Sequence, residues 1–362
     1  MTKATAVSTH GKTLPAGRPL RQWLHQIPKV ELHCHLDGSL RVPTVLELAK
    51  RQRLKLPADN VKDLKRFVQV SPTCTSLTEC LEVFKLLYPL LHEDFAVRRI
   101  AYELCEDSAR DNIRYLEVRF APSLQATGRF PVEEVLESVL KGLEEGRRDF
   151  GIQSGVIICL FRSHSPKENR KAFGLAKKHY GRGVTGIDLA GDESLYPTKD
   201  FAEFFEEANH LDFFTTCHAG EVKGLDNLRS ALEFKVHRIG HGIHLMEDEK
   251  LLKEVVQRQV PLEIGLTSNI RTHTVSDYSL HPLRRFFAAG VPVSINTDDR
   301  GIFGIDLVHE YEAAMTHLRF SPEEILRIAS DSIGHLFLDE ERKSHLRHSF
   351  EQEVSKLKKP IL

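Results

Sequence analysis

The segment Val30-Glu31-Leu32-His33-Cys34-His35-Leu36 carries the pattern that decides the fold. It is a short, mostly apolar run, as expected for a strand of a parallel sheet that is covered on both faces. The carboxyl end of the segment is polar, since it contains His33 and His35 and is followed directly by Asp37. The two histidines are two residues apart, so their side chains point to the same face of a strand. The segment therefore predicts a buried strand whose carboxyl end carries chemistry.

Seven further apolar runs follow, separated by longer segments with helical periodicity. They are Tyr115 to Phe120, Gly155 to Phe161, Gly186 to Ala190, Phe213 to His218, His237 to Ile243, Pro261 to Leu266 and Val291 to Asn296. Eight alternations of strand and helix favour a (β/α)8 barrel of the TIM type over an open sheet.

Two stretches of the chain exceed what a simple barrel needs. Arg41 to Asn112 is too long for one connection, so we expect extra helices inserted after the first strand, among them Thr78 to Leu91 and Phe95 to Arg110. Beyond Ser321 the pattern is again helical and predicts additional helices at the C-terminus, packed against the outside of the barrel.

The domain organisation follows from the same pass along the chain. Residues 1–20 are polar without a continuous apolar run, and we expect them to form a flexible N-terminal leader rather than a secretory signal. Residues 21–362 show no internal repeat, no low-complexity tract and no linker. They predict a single barrel domain.

Composition excludes several classes of partner. Among 362 residues, 50 Lys and Arg balance 51 Asp and Glu, so there is no global basic field to recruit nucleic acid. No stretch is long and apolar enough to span a bilayer. The six cysteines are scattered without a Cys-x-x-Cys pair, a usage typical of reduced thiols rather than of a disulfide scaffold. We therefore expect a cytoplasmic protein with neither a nucleic-acid nor a membrane partner.

Polar side chains end several of the predicted strands, where the active sites of such barrels lie. His218, His241 and Asp298 follow later strands, as His33 and His35 follow the first. Imidazole is a common zinc ligand, and a catalytic zinc site takes about three protein ligands plus an open position. A single His-x-His pair would be weak evidence, but histidines and a carboxylate at several strand ends predict a catalytic zinc site.

Six segments of the chain, in order and at the spacing of barrel strands, resemble the motifs of the adenosine deaminase family of the amidohydrolase superfamily. The segments are Pro28-Lys29-Val30-Glu31-Leu32-His33-Cys34-His35-Leu36-Asp37-Gly38-Ser39, Ile187-Asp188-Leu189-Ala190-Gly191-Asp192-Glu193, His218-Ala219-Gly220-Glu221, Arg238-Ile239-Gly240-His241-Gly242, Leu266-Thr267-Ser268-Asn269 and Asn296-Thr297-Asp298-Asp299. The resemblance runs from about Pro28 to Leu346. It implies the same barrel and hydrolytic deamination at C6 of a purine, with release of ammonia.

The resemblance also implies a ligand set and one Zn²⁺ per chain. The metal would be held by four residues: His33, His35, His218 and Asp298. The pKa of water falls from about 15.7 towards 7 when it binds zinc, so the ion would supply a nucleophile at neutral pH.

Roles for the remaining site residues are implied in the same way. Glu221 would donate a proton to ring N1, which requires a carboxyl group that stays protonated near neutral pH. His241 would orient the attacking water and assist its deprotonation, and Asp298 would hold the resulting hydroxide. Asp299 would bond to N7, and the backbone N–H of Gly191 to N3.

The choice of substrate depends on Asp37 and Arg300. At the position of Asp37, nucleoside deaminases of the family carry Asp, which contacts ribose hydroxyls. Adenine deaminases tend to carry Glu at this position, and an N6-methyl-AMP relative carries Asn. Asp37 therefore predicts a neutral purine nucleoside as the small-molecule partner, with His35 beside the substrate. Arg300 stands where many adenosine deaminases have Pro. It could meet a phosphate, or pair with a nearby carboxylate and touch no substrate.

An apolar lid over the purine is a further possibility. Phe84, Leu81 and Leu87 could form it, but the same helical spacing is also that of ordinary core residues.

Three functions are compatible with these features. The first is zinc-dependent deamination of adenosine and 2′-deoxyadenosine to the inosine product and ammonia. The second is deamination of a modified adenine nucleoside or nucleotide, such as aminodeoxyfutalosine or N6-methyl-AMP. The third is a non-catalytic nucleoside-binding protein on the same barrel, which should have lost a ligand or Glu221. The chain retains the full set.

Overall fold

The computed structural model describes residues 18–357 apart from 72, 73 and 75. Eight parallel strands pair in the order in which they occur in the chain. They are β1 (Lys29–His35), β2 (Ile113–Phe120), β3 (Gln153–Phe161), β4 (Val184–Ala190), β5 (Phe214–Ala219), β6 (Arg238–His241), β7 (Leu262–Ile264) and β8 (Val293–Ile295). Each of the eight predicted runs overlaps one strand, and the expected (β/α)8 fold is confirmed.

Backbone hydrogen bonds between β1 and the residues that follow β8 close the barrel. The N–H of Asp298 donates to the carbonyl of His33 at 3.0 Å, and the N–H of His35 donates to the carbonyl of Asp298 at 2.7 Å. The side chain of Asn296 accepts a further bond from the N–H of Leu32 at 2.9 Å. Closing the barrel therefore also places Asp298 beside the two histidines of β1.

Helices cover the outside of the barrel and fill the insertion after β1. They are α1 (Arg18–Gln26), α2 (Val42–Gln52), α3 (Val61–Val68), α4 (Leu77–Leu81), α5 (Phe84–Leu87), α6 (Asp94–Arg110), α7 (Pro122–Gln125), α8 (Val132–Phe150), α9 (Pro166–His179), α10 (Ala202–His210), α11 (Asp226–Glu233), α12 (Glu249–Arg258), α13 (Leu266–Arg271), α14 (Leu283–Ala289), α15 (Arg300–Phe303), α16 (Leu307–Leu318), α17 (Pro322–Gly334) and α18 (Glu340–Ser355). Short 3₁₀ helices lie at Tyr88–Leu91, Thr198–Phe201, Ile243–Glu247 and Tyr278–Leu280. The additional helices expected after β1 and at the C-terminus are present.

Local capping explains where some of these helices begin. At α17 the hydroxyl of Ser321 accepts from the N–H of Glu324 at 3.2 Å, and the carboxylate of Glu324 accepts from the N–H of Ser321 at 2.8 Å. Pro322 occupies the first turn, where its missing N–H costs nothing. Ser165 and Glu168 form the same reciprocal cap at α9.

The prediction of one helix from Thr78 to Leu91 is wrong. The segment forms α4, α5 and then a 3₁₀ helix at Tyr88–Leu91. Pro89 has no N–H to donate to the carbonyl of Lys85, so the α-helical ladder cannot continue through it. The hydroxyl of Thr78 donates to Asp192 at 2.7 Å and ties α4 to the loop after β4.

The cysteines differ in part from the prediction of reduced thiols. Cys74 and Cys80 form a disulfide that joins the segment before α4 to that helix, and their Cα atoms are 6.2 Å apart, within bridging range. Cys34, Cys105, Cys159 and Cys217 are buried free thiols, as predicted. A pairing across six residues depends on how the insertion folds back on itself, which cysteine spacing does not indicate.

The N-terminal prediction falls mainly outside the described part of the chain. Residues 1–17 of the predicted leader (1–20) are not among the described residues, while residues 18–20 begin α1 and Leu20 is buried.

Every helix in the described part of the chain is too short or too polar to cross a membrane.

Candidate active site

Five side chains meet at the carboxyl end of the barrel. Nε2 of His33 and Nε2 of His35 lie 3.0 and 3.4 Å from the same oxygen of Asp298, and Nε2 of His35 lies 3.2 Å from Nε2 of His218. The ligand-capable atoms of His33, His218, His241 and Asp298 all lie within 4.8 Å of one another. The structure therefore brings the four predicted ligands together and places His241 in the same cluster.

Carboxylates behind two of these histidines determine how the rings are protonated. Nδ1 of His33 lies 2.8 Å from Glu263, and Nδ1 of His218 lies 3.0 Å from Asp188. Each carboxylate accepts the Nδ1 proton, so the Nε2 lone pair faces the pocket.

The donor set fits a divalent metal ion. Within the described chain, Nε2 of His33 is buried without a hydrogen-bond partner, although it lies 3.0 Å from an oxygen of Asp298. A nitrogen lone pair directed at a carboxylate is repulsive unless a cation lies between the two atoms. Imidazole nitrogens with one carboxylate oxygen are ligands that zinc prefers.

A buried ionic network in the barrel interior supports these histidines. Arg119 donates to Asp188 at 2.9 Å and to Glu263 at 2.8 Å. Arg238 contacts Glu263 at 2.5 Å and Glu117 at 2.6 Å. All five side chains are at most 1% exposed, where charges are tolerated only when paired. Removing Asp188 or Glu263 would release the ring that it orients.

Sequence reasoning missed this network. Its signal was present, because Leu116-Glu117-Val118-Arg119-Phe120 carries two charges inside an otherwise apolar run. Polar groups in such positions are costly unless they are paired inside the barrel.

Glu221 is held over the site by the loop after β5. The carboxylate of Glu193 accepts from the backbone N–H groups on either side of Glu221, at 3.0 and 2.5 Å. An oxygen of Glu221 lies 3.6 Å from Nε2 of His241. Burial raises the pKa of Glu221 well above its ordinary value, and the charges of Asp298 and Glu193 raise it further. Burial and these neighbouring charges therefore favour the protonated form of Glu221, the form that proton donation requires.

The pKa values of the two adjacent aspartates are shifted in opposite directions. Burial alone would raise the pKa of Asp298, but the neighbouring His33, His241 and His35 lower it well below its ordinary value. The hydroxyl of Ser268 donates to Asp298 at 2.7 Å. Burial and the neighbouring Asp298 raise the pKa of Asp299 well above its ordinary value. Oδ1 of Asp299 is buried without a hydrogen-bond partner in the described chain, and a Cβ at Gly38 would overlap that oxygen. Glycine at 38 thus leaves room for a neutral carboxyl group that can donate to a ligand.

Asp37 and Gly191 line the same pocket. The carboxylate of Asp37 accepts from Gln125 at 3.0 Å and from the hydroxyl of Tyr88, and burial raises its pKa to about 6. Gly191 has a φ of 100°, a conformation that other residues rarely adopt, so its backbone can form the pocket wall directly.

The pocket opens over this cluster, and both polar and apolar side chains line it. Leu81 and Phe84 line it, whereas Leu87 is buried elsewhere in the core. Two of the three residues considered for an apolar lid are therefore placed where such a lid would be. Among the described residues that line the pocket, none is Lys or Arg.

Arg300 does not line this pocket. It is buried, with one guanidinium nitrogen 2.7 Å from Asp111 and another 3.4 Å from Glu31. Burial alone would lower the pKa of Arg300, but these two carboxylates raise it. Of the two roles left open by the sequence, pairing with carboxylates is the one that the structure shows.

Replacing Arg300 with Met is expected to lower the free energy of unfolding by about 3–5 kcal/mol, because Glu31 and Asp111 would keep buried charge without their partner. Urea unfolding measures the loss. Arg327→Met is the matched control, since its ion pair with Asp331 is exposed and is worth less than about 1 kcal/mol. Equal stability of the two variants would contradict a structural role for Arg300.

Comparison with known proteins agrees with this geometry. The sequence profile of the adenosine deaminase family matches residues 28–353. An adenosine deaminase of Clostridium acetobutylicum is 37% identical over 328 residues, which cover 90% of this chain and 98% of that protein.

Two solved structures show the same architecture. An amidohydrolase from Burkholderia ambifaria with bound zinc is similar with a TM-score of 0.85 at 25% identity, covering 96% of this chain and 95% of that one. The N6-methyl-AMP deaminase of Arabidopsis thaliana in its apo form is similar with a TM-score of 0.82 at 29% identity, and the match covers 93% of this chain and 100% of that one.

Proposed function

The chain belongs to the adenosine deaminase family, and we propose that it hydrolyses adenosine and 2′-deoxyadenosine to inosine and 2′-deoxyinosine with release of ammonia. The observation that carries this proposal is the pocket itself. Its lining includes His35, His218 and Asp298 from the metal-ligand set together with Glu221, a carboxyl group whose pKa burial raises well above its ordinary value. These are the parts that hydrolysis of an amidine needs.

We propose one zinc ion per chain, held by four residues: His33, His35, His218 and Asp298. When bound there, zinc lowers the pKa of water and so supplies a nucleophile at neutral pH. Asp188 and Glu263 keep the Nε2 lone pairs of two of the histidines directed towards the ion.

The protein side chains would handle the protons and the purine. Glu221 donates its proton to N1, which makes C6 electrophilic. Asp298, held by Ser268, directs the water that attacks C6. Asp299 donates to N7, which offers only a lone pair, and its raised pKa suits that role. The N–H of Gly191 is proposed to donate to N3. The C6 amino group leaves as ammonia.

A nucleoside fits the charges of the pocket better than a nucleotide does. No cation is found among the described lining residues, Asp37 contributes a carboxylate, and Arg300 is held by Glu31 and Asp111. A 5′-phosphate beside Asp37 would be repelled, and nothing nearby would compensate. Asp37 is instead suited to accept hydrogen bonds from ribose hydroxyls. This argues against N6-methyl-AMP as the substrate.

A substrate panel on zinc-loaded enzyme tests the proposal. We expect kcat/KM for adenosine to exceed that for AMP and for adenine by at least about 100-fold, because one substrate brings repelled charge and the other leaves Asp37 without a partner. Asp37→Asn should reduce the ratio of kcat/KM for adenosine to kcat/KM for AMP, while Arg300→Met should leave this ratio unchanged. Turnover of AMP but not adenosine would overturn the choice of substrate. Zinc-loaded protein inactive on all purines would favour a binding protein.

We also propose a cytoplasmic location. It rests on the four of the six cysteines that are buried free thiols, a usage expected in a reducing compartment, and the Cys74–Cys80 disulfide is the one feature that it does not explain.

A further inference from the structure

A line of hydrogen bonds leads from the backbone of α14 to the ring of His241. The N–H of Leu283 donates to Nδ1 of His281 at 3.1 Å. Nε2 of His281 lies 3.2 Å from the side-chain oxygen of Asn269, whose nitrogen lies 3.1 Å from Nδ1 of His241. His281, Asn269 and His241 are all buried. None of the family roles described above involves His281 or Asn269.

The direction of every bond in this line follows from its first member. A backbone N–H can only donate, so Nδ1 of His281 must accept, and the single proton of the neutral ring must be on Nε2. Burial lowers the pKa of His281 to about 3, which keeps that ring neutral.

Asn269 carries the direction of these hydrogen bonds on to the next ring. Nε2–H of His281 requires an oxygen opposite it, so the oxygen of Asn269 faces His281 and its NH₂ group faces His241. Nδ1 of His241 must therefore accept, and in the neutral ring the proton of His241 is on Nε2.

We propose that His281 and Asn269 are positioning residues that hold His241 in its Nε2–H tautomer, so that His241 is a hydrogen-bond donor in the pocket and not a metal ligand. His33 and His218 have carboxylates behind Nδ1 and present a lone pair, whereas His241 has an amide N–H behind Nδ1 and presents a proton. This difference separates His241 from His33 and His218 even though the three rings lie within the same cluster.

The consequence for catalysis rests on the proposed function. Nε2 of His241 lies 3.6 Å from Glu221 and 3.9 Å from Asp298. Its N–H therefore faces the space between the proton donor and the carboxylate that directs the water. There it would stabilise negative charge on the attacking oxygen, as a preorganised donor does. Because Nε2 already carries a proton, His241 would orient the water without accepting a proton from it, which replaces the assistance to deprotonation implied by the family resemblance.

Ring ¹⁵N chemical shifts of His241 in zinc-loaded, histidine-labelled enzyme test the tautomer directly, with assignment by the His241→Gln spectrum. We expect a protonated Nε2 and an unprotonated Nδ1 in the wild-type protein. In Asn269→Asp the pattern should reverse, because a carboxylate accepts from both rings and draws the proton of His241 to Nδ1. A protonated Nδ1 in the wild-type protein, or an unchanged spectrum in Asn269→Asp, would overturn the proposal.

Kinetics provide the second measurement. Asn269→Asp and His281→Phe should lower kcat by about 100-fold, the order of one lost preorganised donor, with KM and zinc content nearly unchanged. His281→Gln should recover most of the rate, because its amide can again donate to Asn269. His335→Phe is the control, since its Nε2 is buried without a hydrogen-bond partner in the described chain and it lies outside the pocket. Equal kcat losses in His281→Gln and His281→Phe would refute the positioning role.

The two proposals can fail separately. If the wild-type enzyme deaminates no purine, the proposed function fails, yet the ¹⁵N shifts still decide the tautomer. If the enzyme is active and the ¹⁵N shifts show a proton on Nδ1 of His241, the positioning role of His281 and Asn269 is refuted and the proposed function stands.

Discussion

Replacing Glu221 with Gln is expected to lower kcat for adenosine by about 10³-fold, near the middle of the range for a lost general acid. Gln has nearly the same shape and can still form a hydrogen bond to N1, but it cannot transfer a proton. KM and zinc content should therefore stay close to those of the wild-type enzyme. Steady-state rates and metal analysis of the same preparation measure both. A kcat near normal would contradict the role of proton donor.

Glu247→Gln is the matched control for this variant. Glu247 ends the 3₁₀ helix after β6, and its side chain is about half exposed and contacts His244 at 2.7 Å. It should be replaceable without loss of rate.

The pH profile gives an independent check on Glu221. Its raised pKa means that the proton-donating form is present at neutral pH and is lost as the pH rises through that pKa. The wild-type rate should therefore have an alkaline limb, which Glu221→Gln should lack.

Replacing His218 with Ala is expected to remove zinc from the purified protein and to lower turnover by at least about 10³-fold, because the nucleophile depends on the metal. The fold should survive, since Asp188 keeps its bond to Arg119 at 2.9 Å. Metal analysis and a thermal melt measure the two effects.

His244→Ala is the control for metal loss, since its ring bonds to Glu247 and lies outside the pocket. Full zinc occupancy in His218→Ala would show that His218 is not a ligand.

Much of the architecture could be predicted because it depends on local patterns. A strand covered on both faces must be apolar nearly throughout, so the eight runs and their order were visible in the sequence. Polar residues at the ends of such runs then indicated the site, because parallel strands of a barrel present all their carboxyl ends at one edge. His33, His35, His218 and Asp298 were predicted in this way, and the role of Glu221 was implied by the family resemblance.

What only the tertiary structure decided is which groups pair with one another. Arg300 belongs with Asp111, 189 residues away, and the oxygen of Asn269 belongs with His281. Such partners are brought together by barrel closure and helix packing, and no periodicity records them. The sequence by itself determined the barrel and the polar residues at its carboxyl end. The folded chain decided their charges and tautomers, because these depend on burial and on the nearest partner in space.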